Sequence, residues 1–441
     1  MARSDFPREL RFDYGLILSF IVLTALGILT IYSAGSGSRS AGTGENEHIR
    51  QIYWAVTGCA IFMLLLFIHY QKLGEYALFI FIVSLLLLGA TLLFGKRVRG
   101  AKSWISLFGR IGFQPSEFVK IGIIIVLARY LERIGDEIKT LKHVLISLVI
   151  VAAPMGLILL QPDFGTALVY IPIVFTMLFF SGIKYTHLIS LLIIIGIAII
   201  LPLIVTFSTL TGSTSIAFLQ ILDDERTILV ISAIFGALSF IFFVLYKVTK
   251  KDIFFKAMSI FLIFFTGLVL AVLLGKLLKP YQKKRLIVFL KPTIDPYGAG
   301  YNIIQSKIAV GAGGLFGKGL LGGTQSQLGF LPEKSTDFIF SIFAEEWGFI
   351  GSFFILVLYA VFIFRGIMII FTAKDRFGSL MASGIVGMFL FHIIINVGMT
   401  IGLMPITGIP LPFLSYGGSF LITSMVGVSL LFNIESRRYV R

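Results

Sequence analysis

The feature that most constrains this chain is a succession of apolar runs, each about as long as a bilayer is thick. A helix rises about 1.5 Å per residue, so about 20 apolar residues cross a hydrocarbon core of about 30 Å. Read between flanking charges, about twelve such runs are found. They lie near residues 14–33, 52–69, 75–94, 115–131, 143–160, 166–182, 187–207, 228–247, 257–277, 342–364, 379–399 and 414–433. In hydrocarbon each backbone amide needs a partner within its own segment, so the runs are expected as helices. The fold class is therefore an all-α polytopic membrane protein. Composition agrees, with 57% of 441 residues hydrophobic and 13% charged, against about 25% charged in soluble domains. The first run follows Arg3, Arg8 and Arg11 as a signal peptide would. Its apolar core of about 20 residues exceeds a signal h-region of about 7–15, so it reads as an anchor.

Orientation follows the enrichment of lysine and arginine on cytoplasmic segments. With the N-terminus inside, the inner segments carry Arg3/Arg8/Arg11, Lys72, Arg133/Lys139/Lys142, Lys184, Lys247/Lys250/Lys251/Lys256, Arg365/Lys374/Arg376 and Arg437/Arg438/Arg441. An even number of spans returns the C-terminus to the same side. The net charge of +15 accordingly points to membrane lipid as a partner and not to nucleic acid. Two outer segments oppose the insertion bias. Residues 95–114 hold Lys96, Arg97, Arg99, Lys102 and Arg110, and residues 276–291 hold Lys276, Lys279, Lys283, Lys284, Arg285 and Lys291, with no acid in either. They read either as sites for lipid phosphate or pyrophosphate, or as cations snorkelling to headgroups. The single cysteine, Cys59, excludes an internal disulfide framework, and the five histidines show no HxxxH spacing of a zinc hydrolase. No metal site and no cofactor is called for, although a divalent cation is compatible with the chain.

Ionisable groups at membrane depth are functional candidates, because burying them is costly. Glu117 and Lys120 stand at i, i+3 on the fourth run and can pair on one helix face, either for function or to lock two helices. Asp163, in QPDFGT (161–166), can meet an outer base or serve structure. Glu345 and Glu346 open the tenth run; adjacent residues diverge on a helix, so one at most is expected to face a site. His392 and Asn396, at i, i+4, read as interhelical hydrogen bonds. The longest non-spanning segment, 278–341, is expected outside. Its Ile303, Ile304, Lys307 and Ile308 suit an interfacial helix. Next comes GAGGLFGKGLLGG (311–323), which is not a P-loop because Ala312 and Gly319 fail the template. Gly313 and Gly314 either let backbone N–H groups approach a phosphate or let a re-entrant loop pack against helices. Asp337 ends this segment. Ser335 or Thr336 is expected to cap the helix beginning FIFSIF. Asp337 is then either a base at the outer membrane boundary or a helix-end electrostatic feature.

The segments KPYQKKR (279–285), DPYGAGYNIIQSKIAVGAGGLFGKG (295–319) and GTQSQLGFLPEKSTDFIFSIFAEEWG (323–348) resemble the SEDS family, the shape, elongation, division and sporulation membrane proteins of bacteria. So do QPSEFVK (114–120), QPDFGTA (161–167), INVGM (395–399) and PITGIPLPFLSYGGS (405–419). The resemblance covers nearly the whole chain, and GTQSQLGFLPE and ITGIPLPFLSYGGS are more like the elongation member than the division member. It implies a fold similar in outline to GT-C glycosyltransferases, in the bacterial inner membrane. It implies a peptidoglycan glycosyltransferase that polymerises lipid II onto a growing undecaprenyl-pyrophosphate-linked glycan. The implied partners are a class B penicillin-binding protein, which crosslinks the strand, and the elongation machinery.

Carried onto this chain, the family's essential loop aspartate is Asp337 and its membrane Glu/Lys motif is Glu117 and Lys120. The expected reaction is an inverting transfer. Asp337 takes the proton of the acceptor 4-hydroxyl, and Arg99, Arg110, Lys120 and Arg285 are candidates to neutralise the leaving pyrophosphate. The chain, 1–441, reads as one membrane domain, with 278–341 as its catalytic loop. It departs from the family in a two-helix insertion with its preceding loop, 208–277, added to a core of ten spans, and in Ser335, where the family often has His. The rival function is a lipid II flippase that makes no bond. Against it, the sequence shows no inverted repeat and no matched pair of broken helices.

Overall fold

The computed structural model describes residues 13–40, 46–98, 101–107, 111–211, 225–277, 282, 285, 288–289 and 291–438. The helices are α1 (Tyr14–Ser40), α2 (Glu47–Phe67), α3 (Tyr70–Glu75), α4 (Ala77–Phe94), α5 (Pro115–Ile134), α6 (Leu141–Leu160), α7 (Phe164–Leu168) and α8 (Tyr170–Phe180). They continue with α9 (Tyr185–Thr211), α10 (Glu225–Thr249), α11 (Asp252–Leu277), α12 (Ala299–Ala312), α13 (Thr324–Gln327), α14 (Ile339–Thr372), α15 (Arg376–Thr400) and α16 (Gly418–Ser436). Among the described residues, 10 helices are long and apolar enough to cross a membrane. Each of the twelve expected runs falls on a helix. The two outside the ten differ for physical reasons: α5 carries Glu117, Lys120, Arg129, Glu132 and Arg133, and the stretch 164–180 is short and divided between α7 and α8.

Two compact units divide the chain, one of residues 1–183 with 301–441 and one of residues 184–300. In the first, α15 and α16 form the core, buried over 78% and 89% of their apolar windows where α2 is buried over 11%. An outer helix facing lipid needs no polar partner. The charged helix α5 packs against α15 and α16 as well as α4 and α6, which removes Glu117 and Lys120 from lipid. In the second unit, α10 and α11 pair with each other and α11 packs on α9. Ile197, Leu201 and Val205 of α9 meet a cluster around Ile228 and Leu268. At Gly267 the missing side chain leaves room for Ile197.

Two departures from plain helix matter for the site. The described residues between α4 and α5 build a small antiparallel sheet, with β1 (Lys96–Val98), β2 (Ala101–Leu107) and β3 (Ile111–Phe113) in the order β1-β2-β3. The Lys102 ammonium donates to the Leu92 and Leu93 carbonyls at 2.7 and 2.9 Å, closing the C-terminus of α4. At least one cation of this basic segment therefore serves a helix end. The second departure is a break in α14 at Gly348, whose φ of 67° and ψ of −162° are non-helical. The break frees two carbonyls and two amides, and the glycine-rich loop takes all four. Lys318 and Gly319 N–H donate to the Glu345 and Glu346 carbonyls at 3.0 and 2.9 Å. Phe349 and Ile350 N–H donate to the Gly314 and Leu315 carbonyls at 2.8 and 3.1 Å. A broken helix persists in a membrane where other protein re-satisfies its backbone. The apolar pattern of the tenth run gives no sign of this break.

Candidate active site

Asp337 lies in a turn, residues 332–338, that delays the start of α14 to Ile339. The turn is closed on the Glu333 carbonyl, which accepts from the N–H groups of Thr336, Asp337 and Phe338 at 3.3, 3.2 and 3.4 Å. Glu333 adopts φ +55° to make it. The cap expected from Ser335 or Thr336 is not formed. Residue Phe338 holds the N-cap position, and the Thr336 hydroxyl turns back to the Glu333 carbonyl at 3.3 Å. The reason is competition from the loop 405–417. The Tyr416 N–H donates to the Ser335 carbonyl at 2.8 Å, and the Ser415 hydroxyl donates to the Thr336 carbonyl at 2.6 Å while accepting from Leu411 N–H at 2.8 Å. Residues 335 and 336 are thus held by their carbonyls.

The next carbonyl, that of Asp337 itself, is held from α15. Asn396 is fully buried, and its Nδ2 donates to the Asp337 carbonyl at 2.9 Å and to the Ile409 carbonyl at 2.8 Å. Both partners are carbonyls, so the amide nitrogen must face them. The Asp337 carboxylate itself is half-buried and lies beside Gly408, its Oδ2 3.4 Å from where a Cβ would stand. Gly408 has φ +71°, a conformation that a side chain would strain.

One turn earlier on α15, His392 reaches the same loop at the next residue, Pro410. Its Nδ1 lies 3.0 Å from the Pro410 carbonyl, which assigns the proton to Nδ1. Its Nε2 then faces the Lys120 ammonium at 3.4 Å. Lys120 pairs with Glu117 at 2.8 Å, with side chains 1% and 5% exposed, and stands 5.7 Å over the Phe420 ring. His392 therefore makes the interhelical contact expected of it, whereas Asn396 joins two loops. Asp163 caps α7 through the Thr166 N–H at 3.2 Å and accepts from Gln114 Nε2 at 3.0 Å. Burial pushes its carboxyl up, opposed by the Thr166, Lys120 and Gln114 interactions.

Glu345 and Glu346 are both buried and diverge. Glu345 accepts from Lys318 Nζ and Thr324 Oγ1 at 2.9 Å each and from Gln325 N–H at 3.1 Å. Glu346 accepts from the Ser33 hydroxyl on α1. Of the two readings of the glycine-rich loop, close packing has the structural support. A Cβ at Gly313 would overlap the Ala344 carbonyl, and the N–H groups of residues 313, 317, 318, 319 and 322 are all bonded within the protein. Arg99 and Arg110 lie outside the described residues. Arg285 is exposed and belongs to the second unit. Among the described residues, no group of three or more His, Cys, Asp or Glu could hold a metal ion.

Sequence reasoning missed the loop 405–417 as the clamp on Asp337, and it missed Lys318. It also missed Gln51, which donates to the Ser415 carbonyl and accepts from Gly417 N–H, both at 3.2 Å. The available signal at Gln51 was an amide bordering an apolar run, because a buried amide must find partners.

This arrangement occurs in a fold with known relatives. The model of the cell cycle protein family that groups FtsW, RodA and SpoVE matches residues 14–227 and 229–440. The chain belongs to this family. It is 42% identical over 434 residues to the peptidoglycan glycosyltransferase RodA of Treponema pallidum, covering 97% of this chain and 98% of that protein. It is 33% identical over 436 residues to the peptidoglycan glycosyltransferase MrdB of Escherichia coli K12, covering 99% and 96%. Among solved structures, one of a peptidoglycan synthase complex that coordinates polymerisation and crosslinking matches with TM-score 0.70 and 27% identity, covering 98% of this chain and 100% of that one. The rod shape determining protein RodA of Thermus thermophilus matches with TM-score 0.61 and 25% identity, covering 99% and 100%.

Proposed function

We propose that Asp337 is the general base of this chain's glycosyl transfer and that the substrates are two undecaprenyl-pyrophosphate-linked molecules, lipid II and the growing glycan. The activity is that by which the relatives are named: the chain is a peptidoglycan glycosyltransferase, with the family, length and fold of the cell-elongation enzymes. The observation that carries the assignment to Asp337 is its setting. It is a half-buried carboxylate at the end of the long loop, and the three successive carbonyls at 335–337 are tied to the 396–416 region. A base must be held in place while its carboxylate meets a substrate proton. In the reaction, the Asp337 carboxylate accepts the proton of the acceptor sugar's 4-hydroxyl. The freed oxygen attacks the donor's anomeric carbon with inversion, and the bond to undecaprenyl pyrophosphate breaks. Arg99, Arg110 and Lys120 remain candidates for the leaving pyrophosphate.

The experiment is polymerisation of lipid II by purified protein. Asp337→Asn keeps shape but cannot act as a carboxylate base, and the rate should fall about 10²–10⁴-fold with insertion and thermal stability retained. Polymerisation at the wild-type rate would remove the assignment. A wild type that moves lipid II across liposomes without linking it would favour a flippase.

The chain is a multi-pass membrane protein. We further propose that it lies in the bacterial inner membrane with both termini cytoplasmic, residues 278–341 outside, and a class B penicillin-binding protein as its crosslinking partner. The basic inner segments and the family's synthase complex support this. In a Cys59→Ser background, needed because Cys59 is exposed, Leu328→Cys should react with an impermeant thiol reagent in intact spheroplasts. Reaction only after permeabilisation would invert the topology.

A further inference from the structure

By spacing alone Asn396 is one more hydrogen bond between helices, and the transfer reaction makes no demand on it. Its geometry is more specific. The side chain has one NH2 group, and both hydrogens are spent on loop carbonyls, that of Asp337 at 2.9 Å and that of Ile409 at 2.8 Å. The residue is fully buried. Charged or hydroxyl side chains of similar size cannot reproduce this: a carboxylate has no donor, and a hydroxyl has one. The two carbonyls belong to the two loops that meet at Asp337, and the second lies next to Gly408, the residue against which the Asp337 carboxylate rests.

We infer that Asn396 is a positioning residue for the transfer reaction, setting the place of the Asp337 carboxylate by tying the backbone of Asp337 to Ile409. This rests on the reading of Asp337 as the base. The neighbouring clamps, Ser415 on the Thr336 carbonyl and Tyr416 N–H on the Ser335 carbonyl, hold the turn as a whole. Asn396 reaches the backbone of residue 337 itself, from outside the turn. Loss of its two hydrogen bonds frees the last turn before Ile339 to shift the carboxylate. A misplacement of about 1 Å in a reacting group can cost about 10²-fold in rate. Substrate binding, which draws on surfaces away from this peptide, should be spared.

The test is a double-mutant cycle on the purified full chain, with lipid II as substrate and glycan formation followed under both multiple-turnover and long single-turnover conditions. Asn396→Ala should lower kcat per folded protein by about 10–100-fold, with KM for lipid II within about twofold, and it should also lower the melting temperature, because two carbonyls lose their buried donor. Asn396→Ser, which keeps one donor, should fall between Ala and the wild type. In an Asp337→Asn background, Asn396→Ala should add less than about a twofold loss, because its effect runs through a base already removed. Equal fold-losses in the two backgrounds, a change in KM alone, or wild-type kcat in Asn396→Ala would each overturn the inference. If Asn396→Ala does not fold, Asn396→Ser takes its place in the cycle, and the same outcomes support or overturn the inference. Wild-type rate in Asp337→Asn itself is a different failure, that of the base assignment, and the single variant reads it separately.

Discussion

Two loops of the first unit, 311–323 and 331–338, both precede or break the same helix, and they are held in different ways. Apart from the Lys318 ammonium on Glu345, the glycine-rich loop is held backbone to backbone. It fills the gap at Gly348 by donating to the Glu345 and Glu346 carbonyls and accepting from Phe349 and Ile350. Two of its side chains turn outward: Leu315 and Phe316 are 63% and 79% exposed. The Asp337 turn is held partly by side chains from elsewhere, Asn396 and Ser415, and what it presents is a carboxylate. The first loop uses glycine so that main chains can touch. The second keeps a functional group and brings its supports from a distant segment. A glycine-rich sequence that looks made for phosphate is here a structural splice, and a plain-looking turn carries the candidate chemistry.

The contrast is broken most severely at Gly317. This residue has φ +79°, and a Cβ there would overlap the Glu346 carbonyl and crowd Gly348 N. Gly317→Ala should cost the left-handed penalty of about 1–2 kcal/mol and, beyond it, force the splice apart and expose four membrane-level backbone groups. We expect loss of the folded protein in detergent, seen as aggregation on size exclusion and absence of a cooperative melt. A Gly317→Ala protein that melts like wild type would mean that the splice contributes little.

Much of this was legible in the sequence, for reasons of range. Apolar length is a local property, so all twelve runs fall on helices, and the charges of α5 announced a helix buried among others. Glu117 and Lys120 were readable as a pair because i, i+3 spacing alone brings them together. What failed was non-local. Ser335 and Thr336 satisfy every local rule for a cap, yet Ser415 and Tyr416, about eighty residues on in the chain, claim their carbonyls. The break at Gly348 depends on residues 314–319, and no local pattern encodes that partner. The strands in 96–113 went unseen because β1 and β3 have three residues each, too few to carry a period, and the seven of β2, AKSWISL, do not alternate strictly between apolar and polar.

A middle-sized effect sharpens the comparison from behind the Asp337 turn, where Lys120 and His392 brace the loop at Pro410. Lys120→Met leaves Glu117 buried without its cation, a change that typically costs about 3–5 kcal/mol. A clear fall in melting temperature should follow, with polymerisation reduced in the protein that remains folded. Charge reversal, Glu117→Lys with Lys120→Glu, should restore only part of this. A carboxylate at 120 would meet His392 Nε2, which accepts from Lys120 in the assigned tautomer. Complete recovery of melting and polymerisation by the reversed pair would reduce Glu117 and Lys120 to a structural lock and remove Lys120 from the pyrophosphate candidates.

The smallest effect is expected three residues from the most severe one, at Gly314. Its φ is +55°, so an alanine there is strained, but no atom lies within 4 Å of the position a Cβ would take. The left-handed penalty of about 1–2 kcal/mol is offset in part by the lower entropy of the unfolded chain, about 0.4–1 kcal/mol for Gly→Ala. The Gly314 carbonyl can still accept from Phe349 N–H, because that bond uses only backbone. Gly314→Ala should therefore melt slightly below wild type and polymerise lipid II within about twofold of it, since about 1 kcal/mol of folding strain does not act on a barrier it does not touch. The open space beside Gly314, like that beside Gly311 and Gly319, is also a place in this loop where a substrate phosphate would profit from a missing side chain. A Gly314→Ala protein with near-native melting but a large loss of polymerisation would show that close approach to the backbone is needed there, and the loop would regain its phosphate role alongside its structural one.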